Sequence, residues 1–343
     1  PFNPEPLQPT TSKRPYFEGW FTRVIDLEMN RSVAVIIGSF QTPHTADFNE
    51  TWAAVLYRLP NGSMITRQTF SHQVRITEHG KPVTRKSDMT SPAEFEFAST
   101  GIGKMNVDND TASLHFGFDD VSVDASLWSR TPWDRREPNG AGPEGWTGHF
   151  AGILPCHYYV HSLASKARYT VRVGETTVTG TGFAHMENNY GVDFPDAWVW
   201  SEAVSDDRSA QLVITGGAFI LAGVTTHTFV VAWRSSKVQW NFRSTDLDSI
   251  SHDVQACRGL FSINATSPLL HHRVEVSLAA PNATFSDALY FPTVSGFSNK
   301  PGCVESYAAV AQVSVWKGDQ LVETASLKLA ALEFGGEMRC KES

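Results

Sequence analysis

Apolar and polar residues alternate in short runs along most of this chain, and the runs stop at Gly, Pro, Asn or Asp. Arg273 to Leu278 (RVEVSL) places Val274, Val276 and Leu278 on one side of an extended strand, because successive strand side chains point to opposite faces. Val33 to Phe40, Trp52 to Leu59, Ala112 to Phe118, Val121 to Trp128, Tyr169 to Val173, Gln211 to Ile214, Thr228 to Trp233, Val238 to Phe242 and Ala308 to Trp316 also read as strands. Helical periodicity of useful length is hard to find. Asn61-Gly62, between two such runs, marks a hairpin turn because both residues tolerate positive φ. The pattern predicts an all-β protein of antiparallel strands, closed as barrels or sandwiches.

At 343 residues the chain has room for two domains of roughly 100 to 200 residues each. The longest connection, Ser129 to His149, is rich in Pro, Gly and charge and reads as a lid, a binding loop or a linker. It sets the expected division into two β halves, 1–150 and 151–343. Pro1 to Pro15 reads as an extended arm.

Charge excludes some partners. With 28 Lys and Arg against 36 Asp and Glu, the net charge is −8 and no polybasic block occurs, so nucleic acid and anionic membrane surfaces are not expected partners. No apolar run approaches the roughly 20 residues that span a bilayer, and the chain opens at Pro1 with no leader, which predicts a soluble, processed protein. Glycosylation triplets stand at Asn30, Asn49, Asn61, Asn109, Asn264 and Asn282, which points to the secretory pathway (ER lumen or vacuole) or the cell exterior. Cys156, Cys257, Cys303 and Cys340 allow one or two disulfides, and for two bridges three pairings stay open. Their wide spacing is unlike that of a zinc site, and no metal is expected.

The stretch His185 to Glu202 (HMENNYGVDFPDAWVWSE) gathers acids, amides, a phenol and two indoles around a Gly and a Pro. In a strand Trp198, Trp200 and Glu202 share one face, an aromatic wall ending in a carboxylate that suits an apolar or π-rich ligand or a passing cation. The alternative is that these indoles pack a sheet core. His185 and Glu187, one residue apart, would face the same way as an acid/base pair. His157 and His161, on either side of Tyr159 in CHYYVH, share a face too, as hydrogen-bond donors or as parts of a barrel wall. In Pro15 to Arg23 (PYFEGWFTR), Glu18 and Trp20 share a face with Tyr16. A carboxyl group against indole loses hydration, and desolvation raises its pKa, so it can serve as a general acid; the other reading is an edge or salt-bridged carboxylate. No Gly-x-Ser-x-Gly elbow, phosphate loop or dinucleotide fingerprint occurs, and no cofactor is expected.

Three blocks in order resemble the tocopherol cyclase family: Tyr16-Phe17-Glu18-Gly19-Trp20-Phe21; Glu187-Asn188-Asn189-Tyr190-Gly191 with Phe194-Pro195, Trp198 and Trp200; and Ala330-Ala331-Leu332-Glu333-Phe334-Gly335-Gly336. The resemblance implies a lipocalin-like architecture in both halves and an enzyme that closes an oxygen-containing six-membered ring on a prenylated aromatic. Protonation of an alkene and capture of the cation by a phenolic oxygen is the implied chemistry. By motif position Glu18 and Glu187 are the matched acids, with Glu187 first because Asn188, Asn189 and Tyr190 adjoin it to orient substrate oxygens. His185 and Tyr190 join them as candidate catalytic groups. Trp20, Asn188, Asn189, Phe194, Trp198, Trp200, Glu202, His157, Tyr159 and His161 are the candidate lining for a lipophilic small molecule. Asn188 replaces the family's Lys and Tyr190 its Trp, which points away from tocopherol itself towards another lipophilic natural product. The readings are a cofactor-independent cyclase, a pericyclase acting on a polyene or an ortho-quinone methide, and a secreted carrier that does no chemistry.

Secretory expression is expected to add N-glycans at these triplets. Endoglycosidase treatment should then lower the apparent mass on a denaturing gel, and an unchanged mass would remove the glycoprotein expectation.

Overall fold

The computed structural model describes residues 16–41, 50–71, 74–78, 81–82, 94–136, 142–149, 155–221 and 224–340. The expected N-terminal arm, Asn49 and residues 137–141 of the long connection lie outside the described residues. In chain order the strands are β1 (Tyr16–Asp26), β2 (Arg31–Gln41), β3 (Glu50–Arg58), β4 (Met64–Ser71), β5 (Val74–Glu78), β6 (Lys81–Pro82), β7 (Phe95–Ser99), β8 (Gly103–Val107), β9 (Ala112–Phe118), β10 (Val121–Trp128), β11 (Cys156–Val173) and β12 (Thr176–Gly191). They continue as β13 (Ala197–Val204), β14 (Gln211–Leu221), β15 (Val224–Arg234), β16 (Gln239–Arg243), β17 (Ser249–Gln255), β18 (Leu260–Ser267), β19 (His272–Ala279), β20 (Pro292–Thr293), β21 (Gly296–Phe297), β22 (Cys303–Lys317) and β23 (Gln320–Gly336).

The protein is all-β, with two large antiparallel sheets, one of them nearly closed into a barrel. The first runs β4-β3-β2-β1-β12-β11-β10-β9-β8-β7-β5-β6 and the second β16-β15-β14-β13-β23-β22-β19-β18-β17. The Asn61-Gly62 turn joins β3 to β4: Gly62 has φ 91° and donates to the Leu59 carbonyl at 2.9 Å, while the Asn61 side chain accepts from the Ser63 amide.

By contact the chain groups into two compact units, residues 1–57, 65–194 and 290–300, and residues 58–64, 195–289 and 301–343. Against the expected division at 150, residues 156–191 fall in the first unit because β11 pairs with β10 and β12 pairs with β1.

In the first unit, β9 and β10 alternate strictly, with Leu114, Phe116, Val121, Val123 and Leu127 buried and Ser113, His115 and Ser126 exposed or half-exposed. Ladder partners share a face, so Ala125 carries this core-facing side to Tyr169 of β11, and Tyr169 carries it to Gly180 of β12. From Gly180 the even-numbered residues of β12 through Tyr190 continue it. In the second unit Val199, Leu212, Phe229, Phe261, Val276, Val313 and Leu332 belong to one apolar core.

The Cys257–Cys340 disulfide closes a loop of 83 residues within the second unit. Cys156 and Cys303 are free thiols, both pushed up in pKa by burial and by neighbouring carboxylates. Replacing both bridged cysteines by serine is expected to lower unfolding free energy by ~2–4 kcal/mol. Urea unfolding under non-reducing conditions checks this, and an unchanged midpoint would contradict it.

Candidate active site

Three neighbouring strands of the first unit carry most of the sequence-predicted residues. Glu18 of β1 pairs with Tyr190 of β12, which pairs with His157 of β11. Two residues along, Trp20 pairs with Asn188 and Asn188 with Tyr159. These six residues therefore occupy the core-facing side, and all are buried. Asn189, Glu187 and His185 alternate to the other side, with their partners Gly19, Phe21 and Arg23 of β1 and Tyr158 and Val160 of β11.

The alternation corrects one expectation. Asn188 and Tyr190 do not stand beside Glu187, because neighbours along a strand face opposite ways. Of the three residues expected to orient substrate around Glu187, Asn189 alone shares its side.

On the core-facing side, Tyr190 stacks on His157 at 5.0 Å between ring centroids and lies 6.1 Å from Tyr16, whose hydroxyl stands 3.4 Å from Glu18 Oε1. Burial, and next to it the neighbouring Glu18 carboxyl group, push the Tyr16 phenol well above its ordinary range, so Tyr16 keeps its proton. Trp20 packs on Phe95 at 4.8 Å and on His161 at 6.3 Å. A register shift between Val160 and Ser162 leaves His161 in a bulge. Burial and the Arg130 guanidinium hold His161 well below the usual histidine range, so it is neutral at physiological pH.

The long connection fastens to this wall. Arg130 donates from Nε to the His161 carbonyl at 2.5 Å and from Nη2 to the Tyr159 hydroxyl at 3.1 Å. Glu144, in the 3-10 turn Gly142–His149, accepts from His157 Nδ1 at 2.9 Å and from the Tyr158 amide at 2.7 Å. Facing a carboxylate, Nδ1 is a donor nitrogen of the His157 ring.

On the other side Glu187 Oε2 accepts from the Tyr158 hydroxyl at 2.5 Å and stands 2.7 Å from His185 Nε2. The expected pairing of His185 with Glu187 is thus present, joined by a tyrosine that spacing did not reveal. Buried Arg23, the cross-strand partner of His185, donates from Nε to Ser32 at 2.8 Å. Phe194 is half-buried and meets Phe17 edge-on at 5.6 Å.

In the second unit Trp198, Trp200 and Glu202 share one buried face of β13, while Val199 and Ala203 face the apolar core. Both indoles are buried, on the opposite face of β13 from that core. Trp198 Nε1 donates to Glu333 of β23, and its indole lies where a Cβ on Gly335 would sit, 1.9 Å from Cε2, so only glycine fits there. Trp200 pairs with Glu333, which pairs with Glu305, and Glu305 accepts from the Tyr307 hydroxyl at 2.5 Å. Sequence reasoning passed over Tyr158, Arg130, Glu144, Glu305 and Tyr307. Of these, Tyr158 was the most findable, lying between His157 and Tyr159.

The chain matches the family described as tocopherol cyclase-like over residues 14–336. No curated protein matches it in sequence. Among solved structures, CghA with Sch210972 aligns at TM-score 0.64 and 10% identity, covering 99% of this chain and 96% of that one. Kievitone hydratase from Nectria haematococca aligns at 0.53 and 9% over 98% of both chains, and a putative AttH from Nitrosomonas europaea at 0.52 and 14% over 94% and 93%. At these identities the structural likeness concerns the fold. The family match spans nearly the whole chain, and the protein belongs to the tocopherol cyclase-like family.

Proposed function

We propose that the protein is a cofactor-independent cyclase that closes an oxygen-containing six-membered ring on a lipophilic prenylated or terpenoid intermediate. The observation that carries this reading is Glu18, 2% exposed, on one face with Tyr16, Trp20 and Tyr190. In this reading Glu18 gives its proton to a trisubstituted alkene, and the ring faces stabilise the tertiary cation that results. The substrate hydroxyl oxygen then captures the cation, and its released proton restores the Glu18 carboxyl, so the net change is an isomerisation. Exclusion of water protects the cation from hydration.

Glu18 takes the donor role ahead of Glu187, the reverse of the sequence expectation. Glu187 is engaged by Tyr158 and His185 on the opposite side from the aromatic group. It acts as a positioning residue for those two side chains.

A pericyclic closure is the second reading, favoured by buried nitrogens at Trp20 and His161. Oriented hydrogen bonds to the oxygen of a heterodiene lower its barrier without proton transfer to carbon. The disulfide, and the exposed or half-exposed positions of Asn30, Asn61, Asn109, Asn264 and Asn282, support a secretory location. No helix among the described residues is long and apolar enough to cross a membrane.

Glu18→Gln is expected to lower kcat by about 100-fold or more, the range of a lost general acid, with melting temperature little changed. Glu187→Gln is expected to lose roughly tenfold, the scale of one hydrogen-bonding interaction. Steady-state kinetics on a prenylated phenol checks both; an active Glu18→Gln beside an inactive Glu187→Gln would contradict the assignment.

A further inference from the structure

We infer that Trp20, Asn188 and His161 form a binding position for a conjugated hydroxy-carbonyl group, the oxygen-bearing end of the substrate. The inference rests on the proposed cyclase reading and deepens it by naming the substrate class.

Three polar atoms on this wall are buried with no hydrogen-bond partner among the described residues: Trp20 Nε1, Asn188 Oδ1 and His161 Nδ1. Their residues are 2%, 0% and 3% exposed. Buried polar atoms are paired as a rule, and an unpaired one is costly. Three together on adjoining strands are an unmet set. Trp20 and Asn188 are cross-strand partners, and the His161 ring meets the Trp20 ring.

Their chemistry defines what would meet them. An indole N–H is a donor only, and an amide oxygen is an acceptor only. The Asn188 amide cannot be turned round, because Nδ2 donates to the Gly19 carbonyl at 3.0 Å and the reverse would set two oxygens together. His161, neutral here, offers one donor and one acceptor nitrogen and adapts to either oxygen. The ligand must therefore present an acceptor to Trp20 and a donor to Asn188. A carbonyl beside an enolic or phenolic hydroxyl carries both on one flat unit, and the aromatic surroundings suit a flat ring.

Placement agrees with the proposed chemistry. Glu18 lies two residues from Trp20 on the same face, about 7 Å along the strand. A prenyl chain attached next to the hydroxy-carbonyl would bring its alkene towards Glu18 while the hydroxyl stays on Asn188.

The test uses the full chain labelled with 15N at the tryptophan indoles, with 2-hydroxyacetophenone as the probe and 2-methoxyacetophenone as its O–H-free control. The Trp20 indole resonance is identified by its loss in Trp20→Phe. The hydroxy ketone is expected to move that resonance and to bind about tenfold more tightly than the methoxy compound, with Asn188→Leu erasing the difference. A stationary Trp20 resonance at saturation, or equal affinity for both compounds, overturns the inference and leaves a buried water as the partner of the three atoms. The comparison of the two compounds on the unmodified protein stands even if Asn188→Leu fails to fold. Because the readout is binding, turnover with a stationary Trp20 resonance would sink this inference alone. Binding at Trp20 with no cyclisation of any prenylated phenol would sink the cyclase reading alone.

Discussion

The antiparallel register of β1, β12 and β11 determines which residues of this protein can act together. Glu18, Tyr190 and His157 form one row across it and Trp20, Asn188 and Tyr159 the next, while Glu187, His185 and Tyr158 face away. A slip of one residue would exchange the two sets, because the side-chain period is two. Two close approaches oppose such a slip. A Cβ on Gly182 would lie 2.1 Å from the Ile25 carbonyl oxygen, and one on Gly191 would lie 2.1 Å from the Pro155 carbonyl oxygen. Only glycine at those positions lets the neighbouring backbone come so near.

Glu144 links the two sides of this wall. Its carboxylate holds the His157 ring on the core-facing side and the backbone amide of Tyr158, whose hydroxyl reaches Glu187 on the other. Arg130 and Thr131 fasten the same connection further along β11, with Thr131 donating to the Ala164 carbonyl and accepting from the Leu163 amide. The Pro- and Gly-rich stretch thus contributes side chains and backbone groups to the wall, and its acid fixes the orientation of a buried histidine ring.

Period-two patterning made the architecture legible. Apart from the end residues Leu59 and Val238, the alternating runs lie on strands, and the face-sharing groups Tyr16–Glu18–Trp20, His185–Glu187 and Trp198–Trp200–Glu202 are present as read. Local spacing could not reveal partners brought together from distant segments. Tyr158 reaches Glu187 across 29 positions, Trp198 reaches Glu333 across 135, and Cys257 chooses Cys340 over two other thiols. The separation of Glu187 from Asn188 and Tyr190 followed from alternation itself. Treating consecutive motif residues as one group concealed it, because a motif records order along the chain and a strand sorts its members by parity.

In the proposed reaction a carboxylic acid of this protein protonates carbon. Turnover of a prenylated acyl phenol in deuterated water, followed by mass spectrometry and chiral separation, tests it most directly. One deuterium bonded to carbon in the new pyran ring is expected, with one enantiomer dominant and incorporation lost in Glu18→Gln. An enantioenriched ring formed without solvent deuterium would contradict it and establish the pericyclic route.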